Sequence, residues 1–221
     1  MLERPGLLRS LPFGLYIGLL ALDPVLRPLL PAGLDPRWLY GIRVGLVLIA
    51  LILLWPRYRE LTGASSVKGI EWALGAVVGA VVFVLWVNLD FHPLALPPGE
   101  GFDPRSGGEL HLGLVAVRLA GAALIVPVME ELFWRSFILR WIQHPAFLSV
   151  HPGTLGLRAL AVSSVLFAAE HRLWFAGLLA GLAYGWLYRR TGNLWVPILA
   201  HAVTNALLGV FVLNAGAWHL W

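Results

Sequence analysis

The chain has 221 residues, 59% of them hydrophobic and only 13% charged, whereas a soluble domain carries roughly a quarter charged residues. Long apolar stretches between short charged loops make physical sense only with lipid as the solvent, which excludes a soluble globule and a disordered tail. A net charge of +4 scattered along loop edges is no nucleic-acid surface, and with Cys 0 there is no disulfide framework, thiolate metal site or Cys nucleophile.

A bilayer core takes about 20 helical residues. The first apolar run lies between Arg9 and Asp23 and continues through Pro24 to Pro31, with Arg4 and Arg9 in front. No small-x-small cleavage site follows, so an uncleaved span is expected. The second span runs from about Trp38 to Trp55, and the third, Trp72 to Leu89, has no charge. A long fourth segment, about His111 to Ile142, carries Arg118, Glu130, Glu131, Arg135 and Arg140. The fifth, about Arg158 to His171, is short; the sixth covers Leu173 to Tyr188 and the seventh about Leu194 to Leu213. The expected fold is an all-α polytopic transmembrane bundle of about seven (seven to eight) spans. Residues 1–109 form the N-terminal spans with an outer loop, and residues 110–221 the helical core that carries the chemistry.

Arginine and lysine gather at the N-terminus, after span two (Arg57, Arg59, Lys68), after span four (Arg140, Arg158) and after span six (Arg189, Arg190). The long loop from Asp90 to Glu109 holds Asp90, Glu100, Asp103 and Glu109 against Arg105. The positive-inside rule then puts the N-terminus in the cytoplasm and that loop outside, although Arg27 and Arg37 fall on the wrong side. In span six Gly177, Gly181 and Gly185 form a small-xxx-small ridge, read as a helix-packing surface without chemistry.

A charge at mid-bilayer costs roughly 2.5–3.5 kcal/mol on insertion scales. Glu130, Glu131, Arg135, Glu170 and His171, with His201 and Asn205 on span seven, must therefore face one another or water inside the bundle. Glu131 and Arg135, at i and i+4, can pair; Glu130 lies about 100° round the helix and can point elsewhere. Counted from the cytoplasmic edge, Glu130, His171, His201 and Asn205 lie roughly 20, 20, 12 and 18 Å deep at 1.5 Å per residue. Pro127 and Pro197 precede Glu130 and His201, and each is expected to kink its helix and free a carbonyl.

Four intramembrane proteolytic chemistries can be tested by inspection. A zinc protease with His-Glu-x-x-His is excluded, because no His is followed by Glu. An aspartyl dyad is excluded, because Asp23, Asp35, Asp90 and Asp103 all lie in or beside loops. Ser163 and Ser164 in span five have neither a strained turn nor a base. A glutamate-based site with Glu130 as general base is left.

Glu130-Glu131-Leu-Phe-Trp-Arg135, Phe167-Ala-Ala-Glu-His171 and His201-Ala-Val-Thr-Asn205 together resemble the three-part signature of the CAAX protease and bacteriocin-processing (CPBP) family. That signature is Glu-Glu-x-x-x-Arg, Phe-x-x-x-His and His-x-x-x-Asn, in this order on separate membrane helices. The resemblance covers about Arg118 to Leu213, including Arg190-Thr191-Gly192-Asn193-Leu194-Trp195 before the last helix; the first hundred residues match only as a run of spans. Val126 to Trp134 and Ala217 to Trp221 further resemble a bacterial subgroup that accompanies exosortase protein-sorting systems. The resemblance implies a glutamate-type intramembrane endopeptidase of the bacterial inner (plasma) membrane. Glu130 and His171 would activate water, His201 and Asn205 would stabilise the oxyanion, and Glu131 with Arg135 would support the helix and tune Glu130.

The resemblance implies no cofactor; the alternative is zinc held by Glu130, His171 and His201 with an open position. The implied substrate is a membrane or lipid-anchored protein, with exosortase-system proteins as partners and no nucleic acid. Two other readings are open: a membrane immunity or sorting factor without turnover, and a small-solute transporter, against which the absence of inverted repeats argues. Glu170 stands outside the signature and is read as solvated or pairing.

Overall fold

The computed structural model describes residues 4–99 and 101–221, and Glu100, counted above among the acids of the long loop, lies outside the described residues. Seven helices follow in order among those residues: α1 (Pro5–Leu26), α2 (Trp38–Leu54), α3 (Gly69–Asn88), α4 (Leu112–Gln143), α5 (Leu157–Ala169), α6 (Trp174–Thr191) and α7 (Trp195–Ala215). The chain is an all-α membrane bundle. Pro5–Leu29, Trp38–Arg57, Gly69–Asn88, Leu112–Gln143 and Trp195–Ala215 are each long and apolar enough to cross a bilayer. The helix α5 is apolar but shorter, and α6 ends on the charged Arg189 and Arg190. A two-residue hairpin, Arg105–Ser106 with Glu109–Leu110, turns at Gly107 and Gly108 in the long loop, both at positive φ. Ile49, Leu53, Ile70, Val77 and Leu124 lie exposed on the outside, as lipid-facing side chains should.

The α1 helix begins five residues before the expected run, so Arg9 stands inside it and is 2% exposed. Its Nε donates to Glu60 at 2.6 Å, and Ser136 of α4 bonds the same carboxylate. A flanking arginine is indistinguishable from an intrahelical one in sequence, because its acid partner lies in the distant 55–68 turn.

Glycine sets how closely the helices approach. The Gly177–Gly181–Gly185 ridge packs on α5: a Cβ at Gly181 would stand 2.9 Å from Ser164 Cα, and one at Gly177 3.3 Å from Ala168 Cα. Ser164 there spends its hydroxyl on the Leu160 carbonyl at 2.8 Å. The tightest approach of one helix backbone to another at these glycines joins α3 to α7, where a Cβ at Gly79 would lie 2.3 Å from the Ala200 carbonyl oxygen. Thr204 of α7 donates to the Gly79 carbonyl at 2.8 Å across this seam. Gly79→Val must therefore push α3 off α7 and break that bond, at a cost of about 1–3 kcal/mol or more. Its detergent-solubilised thermal unfolding midpoint should fall, whereas Gly14→Val, at a position with open space, should leave it unchanged.

One unbroken helix, α4, carries the signature acids, but it is α-helical only in part. Residues Gly121–Ile125 and Leu132–Leu139 widen into π-helix. The first widening comes just before Pro127, which has no N–H to give to an earlier carbonyl. In an i to i−5 pattern that carbonyl belongs to Ala122, and Asn205 of α7 supplies the missing donor at 2.8 Å. The expected freed carbonyl is thus present and is satisfied from a neighbouring helix. Pro197 differs. It falls in the first turn of α7, where a backbone N–H has no intrahelical partner, so it frees no carbonyl and the kink expected there has no cause.

The start of α7 is held by the short segment that precedes it. Gly192 at φ +69 ends α6 in the left-handed conformation. Asn193 then accepts from the Trp195 N–H at 3.0 Å and donates to the Gly63 carbonyl at 2.7 Å. Trp195 Nε1 reaches the Leu61 carbonyl at 2.9 Å. The register of α7, and with it the depth of His201, is fixed from this end.

Candidate active site

Glu130 of α4, His171 just past α5, and His201 and Asn205 of α7 line one cavity of about 270 Å³. Glu130 comes from the α segment between the two π stretches of α4. It is 8% exposed, and its Oε2 has no hydrogen-bond partner among the described residues. A buried carboxylate oxygen without a donor is costly, and functional sites are where such a cost is retained.

His171 lies past the end of α5, which stops at Ala169, so the short fifth span ends two residues earlier than expected. Its Nδ1 stands 2.7 Å from the Phe167 carbonyl, one of the orphan carbonyls of that helix end. A carbonyl only accepts, so Nδ1 donates and Nε2 carries the free lone pair. Trp86 meets the ring edge-on, with centroids 5.3 Å apart. The helix termination therefore chooses the tautomer.

His201 stacks on Tyr184 of α6 at 5.2 Å, and its Nδ1 lies 3.0 Å from Glu131 Oε1. Glu131 is fully buried and pairs through Oε2 with Arg135 Nε at 3.1 Å, as the i, i+4 spacing requires. Arg135 has no acceptor for Nη1 and Nη2 among the described residues; its guanidinium lies over Phe167 at 4.4 Å and Tyr184 at 5.4 Å. Cation–π attraction to these rings holds the charge, while the two Nη groups stay without an acceptor. Glu131 and Arg135 stand behind the cavity and aim His201. Asn205 lines the cavity, and one N–H of its amide is committed to Ala122, which leaves the second.

Glu170, outside the signature, belongs to the same cavity. Only a fifth of its side chain is exposed, and Oε1 accepts from Trp134 Nε1 at 2.8 Å. Ligating atoms of Glu130, Glu170 and His171 all lie within 4.8 Å of one another. That trio contains Glu170 where the sequence suggested His201, whose Nδ1 is turned to Glu131. Trp134 stands one helical turn after Glu130, and this spacing was the available signal that the signature's variable positions reach the site. Tyr184, hidden among the small residues of α6, gave no signal.

The C-terminal turn, Trp218–Leu220, closes the cavity's outer end: Leu220 and Trp221 line it. Asp90, just past α3, receives Arg172 Nη1 at 2.8 Å and lies 2.9 Å from His219 Nε2. The Arg172 hydrogen bond outweighs burial and, with His219, holds the Asp90 carboxyl below the usual carboxylate range. A depressed folded-state pKa contributes stability above the unfolded value of about 4, and that contribution is lost as pH falls through the folded value. Acidification below about pH 4 should therefore loosen the C-terminal turn, read as faster limited proteolysis after Gly216. Asp90→Asn should be loose already and show a smaller pH response.

Residues 112–207 match the family model described as Type II CAAX prenyl endopeptidase Rce1-like. A Bacillus subtilis (strain 168) protein named "Putative membrane peptidase YdiL" is 27% identical over 105 residues. That alignment covers 45% of this chain and 39% of the relative, so the chain matches less than half the relative's length. No solved structure matches. The matched stretch runs from the start of α4 into α7, and all three parts of the signature fall inside it: the chain carries an Rce1-like segment across its polar cavity.

Proposed function

We propose that this integral membrane protein is an intramembrane endopeptidase of glutamate type. Glu130 takes a proton from water that attacks a peptide carbonyl and returns it to the leaving amine nitrogen as the C–N bond breaks, while His171 Nε2 accepts a hydrogen bond from the same water. The observation that carries this reading is the unpartnered, buried Glu130 oxygen in one cavity with His171, His201 and Asn205. His201, whose Nδ1–H donates to Glu131, acts as the doubly protonated imidazolium and donates from Nε2 to the developing oxyanion, and the free Asn205 N–H is the second donor. Glu131 and Arg135 position His201. The name of the family model and that of the bacterial relative support peptidase activity. The proposed setting is a bacterial plasma membrane with a cytoplasmic N-terminus, the substrate a membrane or lipid-anchored protein, and an exosortase system the source of partners.

The close approach of Glu130, Glu170 and His171 favours one second reading, a divalent metal held by that trio. Purified protein in lipid vesicles, incubated with membrane proteins of its host, separates the two. The metal-free reading expects new peptide ends that persist in EDTA and vanish with Glu130→Gln. Ends lost in EDTA and restored by Zn²⁺ would establish the metal, and no ends at all would count against a peptidase.

A further inference from the structure

Two arginines beside the cavity lack acid partners among the described residues. Arg43 of α2 is buried and Arg118 of α4 half-buried; the Nε of each is enclosed without a hydrogen-bond partner, and neither forms an ion pair among the described residues. Both guanidiniums lie over the Tyr40 ring, Arg118 at 4.3 Å and Arg43 at 5.3 Å from its centroid. Arg118 is further faced by Phe102 at 5.4 Å and Trp221 at 6.0 Å. Aromatic faces hold the cations but provide no acceptor for their N–H groups.

A vestibule on the side of the long loop is lined by both arginines, and Arg118, Tyr40 and Trp221 continue from it into the Glu130 cavity. The acids lining the vestibule are already taken: Asp23 pairs with Arg27 at 3.3 Å and Asp103 with Arg105 at 2.6 Å. Among the described residues two positive charges are thus left over in a partly enclosed, low-dielectric space, where their field acts strongly on an incoming anion. Two like charges over one ring repel, and a carboxylate relieves both the repulsion and the missing acceptors.

We infer that the vestibule is a carboxylate-binding subsite, with Arg118 in contact and Arg43 as the supporting charge, that holds an acidic group of the peptide substrate. The role as a substrate subsite rests on the peptidase reading; the anion site itself does not. Arg118 and Glu130 are twelve positions apart on α4, roughly 18 Å at 1.5 Å per residue. An extended peptide covers about 3.3 Å per residue, so the acidic group sits roughly five residues from the bond to be cut. It is either a chain terminus or an Asp or Glu side chain.

The test is binding to the full-length protein in detergent, followed by tryptophan fluorescence. Three probes are compared: acetyl-Leu-Ala-Val-Leu-Phe with a free carboxylate, the same peptide as its amide, and acetyl-Leu-Ala-Val-Glu-Phe amide. At least one acidic peptide should bind tenfold or more tightly than the neutral amide, and which one does separates terminus from side chain. Arg118→Gln should bring the ratio to about one, and Arg43→Gln should reduce it. Should Arg118→Gln not fold, Arg118→Lys serves, because it keeps the charge but loses the bidentate fork; the ratio should then drop yet stay above one. Equal binding of acidic and neutral peptides by the wild type, or a preference untouched by these substitutions, overturns the inference. An acid preference in a protein that cuts nothing would sink the peptidase reading and leave the anion site standing.

Discussion

Glu130→Gln removes the proposed general base and is expected to lower the cleavage rate by roughly 10²–10⁴-fold, while the folded protein becomes as stable as the wild type or more so. The two effects have one cause. The Glu130 carboxylate is buried, with no protein donor on Oε2 among the described residues and with an oxygen of Glu170 within 4.8 Å, and its charge there costs about 1–3 kcal/mol. Gln keeps the shape and removes the charge, so the variant loses the base and the strain together. An enzyme that retains an unsatisfied buried acid for its chemistry should show this opposition of activity and stability. A thermal unfolding midpoint for Glu130→Gln well below the wild type would mean that the carboxylate has a structural partner.

Arg135→Met is expected to destabilise the bundle by about 3–5 kcal/mol, because it leaves the fully buried Glu131 without its cation. The methionine fills similar volume between Phe167 and Tyr184, so the loss reads charge and not a cavity. Adding Glu131→Gln should return most of the stability, since removing both charges costs less than removing one. Activity should not return, because a neutral amide in place of the Glu131 carboxylate no longer fixes the His201 ring as the charged group does. Unfolding curves for the two single variants and the double variant, in one detergent, give the coupling.

How much of this could be read beforehand follows from where each interaction lies along the chain. Apolar run length reveals the helices, so all seven were legible, and i, i+4 geometry reveals Glu131–Arg135. The shared cavity of Glu130, His171, His201 and Asn205 was legible because burial of polar groups in lipid forces them together. What stayed hidden depends on details that periodicity does not encode. The end of α5 two residues before His171 decides that its Nδ1 bonds to Phe167, and helix ends are the least certain feature of any pattern. The π stretches of α4 rotate later side chains relative to an ideal helix, which left the Glu131–His201 contact out of reach. Pro127 and Pro197 look alike in sequence, yet only the first lies deep enough in a helix to orphan a carbonyl.

The central claim is that one buried glutamate makes this bundle a peptidase. Its most direct test compares the termini of membrane proteins in cells carrying the wild type with those in cells carrying Glu130→Gln at equal abundance. At least one peptide end should be present with the wild type and missing with the variant; identical sets of ends would contradict a Glu130-dependent peptidase.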